Sequence, residues 1–111
     1  MDAGNIKVRS ALALAQALFS PRSIALVGAS GDAAKNSSRP QRYLSKFGFA
    51  GKVFPVNPTR PSLFGLPAYK SLHDIKEEIE HAFIMVGDVE AALEDCGKAG
   101  VPVATIFTDG F

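Results

Sequence analysis

Ser23-Ile-Ala-Leu-Val27 running into Gly28-Ala29-Ser30-Gly31-Asp32-Ala33 is the stretch that decides the fold. The first part is short and rich in branched residues, with a length that suits a strand better than a helix. It is apolar without alternation, which is the pattern of a strand covered on both faces, as in a parallel sheet. Gly28 follows at once and permits a sharp turn out of the strand. Set against the pattern G-x-G-x-x-G/A, the loop keeps the first glycine and the permitted last alanine, Ala33, but Ser30 replaces the second glycine.

Three further runs of the same kind follow. Lys52-Val-Phe-Pro-Val56 leads into Asn57-Pro58, His81-Ala-Phe-Ile-Met-Val86 into Gly87, and Val101-Pro-Val-Ala-Thr-Ile-Phe107 into Thr108-Asp109-Gly110. Helical patterns alternate with them. In residues 6–19, Val8, Ala11, Leu12, Ala15, Leu18 and Phe19 form one apolar face, expected to pack on the sheet. Ser38 is the expected N-cap of a second helix with Pro40 in its first turn and Gly48 as its stop. Ser71-Leu-His-Asp74 reads as a capping box opening a helix through Ile75 and Ile79. Asp88 caps a last helix whose apolar positions are Val89, Ala92, Leu93 and Cys96, with Gly100 ending it. The stretch 57–67 holds Pro58, Pro61 and Pro67 and is a loop or edge excursion rather than a central strand. Alternation of strand and helix predicts an α/β fold, a Rossmann-like open parallel sheet with flanking helices, formed by residues 1–111 as one domain.

Composition narrows the function. The 111 residues are 47% hydrophobic and 21% charged, with a net charge of +1, so no bulk field argues for nucleic acid or a membrane surface. No apolar stretch approaches the ~20 residues needed to span a bilayer, and the N-terminal run reads as an amphipathic helix rather than a signal peptide. Cys96 is the single cysteine, which fits a reducing compartment, the cytoplasm, and leaves no cysteine metal cluster. His73 and His81 have no metal partner at ligand spacing and read as structural.

In open α/β sheets ligands bind beyond the carboxyl ends of the strands. Those ends supply the candidate binding residues: Gly28, Ala29, Ser30 and Gly31; Asn57 and Pro58; Val86 and Gly87; Phe107, Thr108 and Asp109. Backbone N–H groups beyond Gly28 can face a phosphate, and the Ser30 hydroxyl can donate to phosphate or ribose. A dinucleotide site wants a carboxylate at the end of the second strand, where Asn57 stands instead. This weakens NAD and leaves room for a ligand with a phosphorylated ribose, such as coenzyme A. The cations available to its phosphates are Lys35, Arg39, Arg42, Lys52 and Arg60, with Lys35 and Lys52 preferred as nearest to strand ends.

Four ordered segments also carry a family resemblance. Leu18-Phe-Ser-Pro-Arg-Ser-Ile-Ala-Leu-Val-Gly-Ala-Ser30 resembles the opening of the NDP-forming acyl-CoA synthetases, and Gly48-Phe-Ala-Gly-Lys-Val-Phe-Pro-Val-Asn-Pro58 resembles their second strand. Gly65-Leu-Pro-Ala-Tyr-Lys-Ser-Leu72 and Asp109-Gly-Phe111 match in the same order. The CoA-binding part of the succinyl-CoA synthetase alpha subunit is similar. Where that family has Asp before its third strand and Pro at the strand's end, this chain has His81 and Gly87. The resemblance implies a ligase in which acid, CoA and nucleoside triphosphate give acyl-CoA, nucleoside diphosphate and phosphate. It also implies a phosphohistidine domain and an ATP-grasp domain, in cis or as subunits, neither present in these 111 residues. The chain would then be a piece of a larger enzyme that binds CoA or acyl-CoA without catalysing alone. A stand-alone CoA-binding protein and an NAD(P)-binding domain of an oxidoreductase or redox sensor are the alternatives.

Overall fold

The computed structural model describes residues 3–107. Helix α1 (Ala3–Phe19) leads into β1 (Ser23–Val27), and α2 (Arg39–Lys46) connects β1 to β2 (Lys52–Val56). A small hairpin follows, β3 (Ser62–Leu63) and β4 (Leu66–Pro67), then β5 (His81–Ile84), α3 (Val89–Lys98) and β6 (Val103–Ile106). The main sheet is parallel throughout, in the order β2-β1-β5-β6. This is the expected open α/β sheet.

Side chains alternate across it. Ala25, Val27, Phe54, Val56, Ala82 and Ile84 pack on one face under Ile75, Ile79 and the α3 residues Ala92 and Cys96. Ile24 and Leu26 pack on the other with Leu44, Leu63 and Phe83. Burial holds the Cys96 thiol above its ordinary pKa, with Asp95 adding to the shift. The strands β1 and β2 have the bounds read from sequence. Strand β6 starts two residues later, because Pro102 has no N–H to donate to a ladder.

Three local expectations are corrected. The segment after Ser71 is one 3-10 turn, Leu72–Asp74, and Ile75 is already extended. The chain must return along the sheet to start β5. Six residues in helix advance about 9 Å, whereas six extended residues advance about 20 Å. Ile75 and Ile79 still reach the core, but from a non-helical, bent path. Ser38 does not cap α2 with its side chain; its hydroxyl donates to the Lys35 carbonyl at 2.8 Å, while Pro40 does sit in the first turn. Among the described side chains of α1, which do not include Val8, the packed residue is Ala17, whereas Leu12, Leu18 and Phe19 are exposed. The helix is held at its carboxyl end: Gln16 donates to Glu80 Oε1 at 3.0 Å, and the Ala17 carbonyl meets His81 Nδ1 at 2.9 Å. By contrast, Asp88 caps α3 as expected, accepting from the Ala91 N–H.

Candidate functional site

The site is built where β1, β2 and β5 end. Gly28 has φ +89°, and its N–H donates to the Val56 carbonyl at 3.2 Å. A Cβ at this position would lie 2.7 Å from Val86 Cγ1 and 3.0 Å from the Met85 carbonyl oxygen. Gly28 is therefore required by the close approach of the β5 end, in addition to its backbone conformation. Val86 acts from beneath, as the neighbour that fits against Gly28. Gly87, next in sequence, is exposed and faces open space.

Beyond Gly28 the loop is ordered by its own polar groups. The buried Ala29 places its carbonyl against Asn57 Nδ2 at 3.0 Å. Ser30 Oγ accepts from the Asp32 N–H and Asp32 Oδ1 from the Ala34 N–H, both at 3.0 Å. Ser30 thus uses its oxygen within the loop and keeps its hydroxyl proton to donate to a ligand. Arg42 Nη1 donates to the Ala33 carbonyl at 3.1 Å, so this cation braces the loop. Lys35 is exposed on the same loop.

Asn57 ties the second loop to the first. While Nδ2 holds Ala29, Oδ1 accepts from the Thr59 and Arg60 N–H groups, at 2.9 and 3.0 Å, and from the Thr59 hydroxyl. Both ends of the amide are engaged, so Asn57 shapes the site instead of offering a hydrogen bond to ribose. Pro58, beside it, is exposed. The consequence lies three residues on: Arg60 Nη1 sits 2.7 Å from where a Cβ of Gly31 would be. A guanidinium is laid against a glycine whose backbone has no side chain to keep it away.

Lys52 is not part of this arrangement. It opens β2 in register with Ser23, at the amino ends of the strands, and forms an ion pair with Glu77. A depression of about 780 Å³ lies there, lined by Arg22, Lys52, Glu77 and Glu80 among others, with its cations paired to its carboxylates. Being near a strand end did not distinguish the two ends of the sheet. Arg60, ranked behind Lys52 on the sequence, is the cation the fold delivers. The available signal was its place on the same loop as Asn57-Pro58. Phe107 is half-exposed at the end of β6, its N–H donating to the Ile84 carbonyl at 2.8 Å. It borders an apolar groove of about 590 Å³ with Pro40, Tyr43, Leu44 and Phe83. Thr108 and Asp109 lie outside the described residues. Among the described residues no helix is long and apolar enough to cross a membrane.

The residues fit a phosphate-bearing ligand such as CoA: a cation against a glycine, a free hydroxyl, and no carboxylate at the β2 end. A family model described as a CoA binding domain matches residues 22–110. The chain is 40% identical over 93 residues to the ADP-forming acetate–CoA ligase of Methanocaldococcus jannaschii, covering 82% of this chain and 13% of that protein. It is 35% identical to the alpha subunit of ADP-forming acetate–CoA ligase I from Pyrococcus furiosus, covering 86% of this chain and 22% of the subunit. Among solved structures, the apo form of an acetyl-coenzyme A synthetase from Ca. Korarchaeum cryptofilum superposes with a TM-score of 0.82 at 44% identity, over 86% of this chain and 21% of that one. The chain thus spans a fifth or less, or little more than a fifth, of these relatives' lengths, and it belongs to the CoA binding domain family.

Proposed function

We propose that this chain binds coenzyme A as the CoA-binding part of an NDP-forming acyl-CoA synthetase. The observation that carries the reading is the Arg60 guanidinium lying against Gly31, on a backbone turn fixed by the Asn57 amide. In this reading the loop from Gly28 to Gly31 receives the pyrophosphate through the Ser30 and Gly31 N–H groups and the Ser30 hydroxyl, the Gly28 and Ala29 N–H groups being engaged by the Val56 and Leu26 carbonyls. Arg60, with Lys35 beside the loop, meets a phosphate. Gly87 borders the open side, and Thr108 and Asp109 are proposed as further ligand contacts. Lys52 is left out. Acyl transfer and nucleotide chemistry belong to phosphohistidine and ATP-grasp domains, in cis or as subunits. The cytoplasm is the compartment where CoA and nucleotide would both be met.

Calorimetric titration of the purified chain with CoA, dephospho-CoA and NADH tests this. CoA should bind, and dephospho-CoA should bind about tenfold more weakly or worse, since a hydrogen bond to a charged group is worth about 1.5–3 kcal/mol. NADH should show no comparable affinity. Equal affinity for CoA and dephospho-CoA would remove Arg60 and Lys35 from contact with the ribose phosphate. Preference for NADH would overturn the reading.

A further inference from the structure

Gln41 stands in the first turn of α2 and is 3% exposed. Its Nε2 donates to the Leu63 carbonyl, on β3, at 2.7 Å. Its Oε1 is buried and has no hydrogen-bond partner among the described residues. A buried acceptor without a donor lowers stability, and a Met or Leu side chain would fill similar space without leaving one. Stability accounts for the Nε2 bond to the carbonyl of the buried Leu63, which a Met would leave unmet, but not for an amide whose Oε1 is unpaired.

Its position in the site does. Leu63 Cδ2 lies 3.1 Å from where a Cβ of Gly31 would be, beside the approach of Arg60 Nη1 to the same point. The segment that carries Arg60 is thus held at both ends by amide side chains. Asn57 accepts the Arg60 N–H at one end, and Gln41 holds the Leu63 carbonyl at the other. Arg60 falls midway, three residues from each.

We infer that Gln41 is a positioning residue for the proposed CoA site, an inference that rests on the function proposed above. Through the Leu63 carbonyl it sets how close the segment 60–63 lies to the first loop, and so where the Arg60 guanidinium meets a ligand phosphate. Gln41 itself touches no ligand.

The test uses the full chain with Gln41→Met, Arg60→Ala and the double variant, measuring CoA affinity by calorimetry and folding by thermal melting. Each single variant should remain folded and bind CoA about tenfold more weakly, the scale of one charge-assisted contact. The double variant should bind no more than about twofold more weakly than Arg60→Ala alone, because a residue acting through Arg60 has nothing left to position. A purely structural Gln41 would lower the melting temperature and leave this coupling at zero. If Gln41→Met does not fold, Gln41→Asn, which keeps the amide but cannot reach Leu63, is read in the same cycle. CoA affinity of Gln41→Met equal to the parent's, or losses that multiply in the double variant, would overturn the inference alone. A parent chain that does not bind CoA would overturn the proposed function and this inference together.

Discussion

Gly28 and Gly31 are two residues of one loop whose missing side chains do different work. At Gly28 a Cβ would meet backbone, the Met85 carbonyl, and the branched end of Val86. The carbonyl cannot move without displacing the backbone just past β5, and the φ of +89° adds strain for any other residue. At Gly31 the nearest atom is the tip of a flexible arginine, 2.7 Å away, which can swing aside. Gly28→Val should therefore lose the folded state, seen as a large drop in melting temperature by circular dichroism. Gly31→Ala should stay folded and bind CoA several-fold more weakly, roughly 1 kcal/mol for a displaced charged contact. A stable Gly28→Val variant, or a Gly31→Ala variant that binds like the parent, would contradict these assignments.

Two elements carry features that whole-chain patterning does not reveal. The β3–β4 hairpin turns through Phe64 and Gly65, with φ values of 47° and 82°. Both central residues of this two-residue loop are left-handed, the conformation that favours Asn-Gly. A bulky residue there is strained by about 1–2 kcal/mol. Phe64→Asn should raise the melting temperature by a few degrees; an unchanged or lower value would mean that the ring, about half-exposed, stabilises the hairpin by other means.

The second element is α1, clipped to the sheet through Glu80. The Glu80 carboxylate receives the Arg22 side chain, Gln16 Nε2 and the Arg22 N–H, which hold its pKa at about 2, below its ordinary 4.5. A carboxylate with a depressed folded pKa stabilises the fold fully above its unfolded pKa and loses that contribution as pH falls through the folded one. Melting temperature should accordingly fall between about pH 4.5 and 2, and Glu80→Gln should be less stable at neutral pH with a shallower decline over that interval. Parallel pH profiles for the two proteins would exclude Glu80 as the cause.

For the whole molecule, the relevant fact is its size beside its relatives: it spans 13% of one acetate–CoA ligase and 22% of a ligase alpha subunit. On the proposed reading the site holds and orients CoA, while phosphate transfer and nucleoside triphosphate binding fall to other domains. The purified chain mixed with acid, CoA and ATP or GTP should form no thioester, followed by chromatography of the acyl-CoA product. Thioester formed by the chain alone would require chemistry that the proposed division of labour places elsewhere.

The sequence by itself determined the sheet and the loops that follow its strands. Short apolar runs closed by Gly28, Asn57-Pro58 and Gly87 are local signals, because turn geometry and covered strands constrain nearby residues directly. The absence of a carboxylate at Asn57 was equally legible. What only the tertiary structure decided was which end of each strand a cation serves and which residues the loops bring together. Lys52 and Arg60 are indistinguishable as charges, yet β2 carries one to the amino end of the sheet and the other past its carboxyl end, against Gly31. The 75–80 segment looked helical by spacing but is irregular, and its two isoleucines reach the core without a helix. Gln41, polar on a helix, gave no sign of burial until the hairpin folded over it. These are contacts between residues far apart in the chain, and they depend on where the backbone travels rather than on any local pattern.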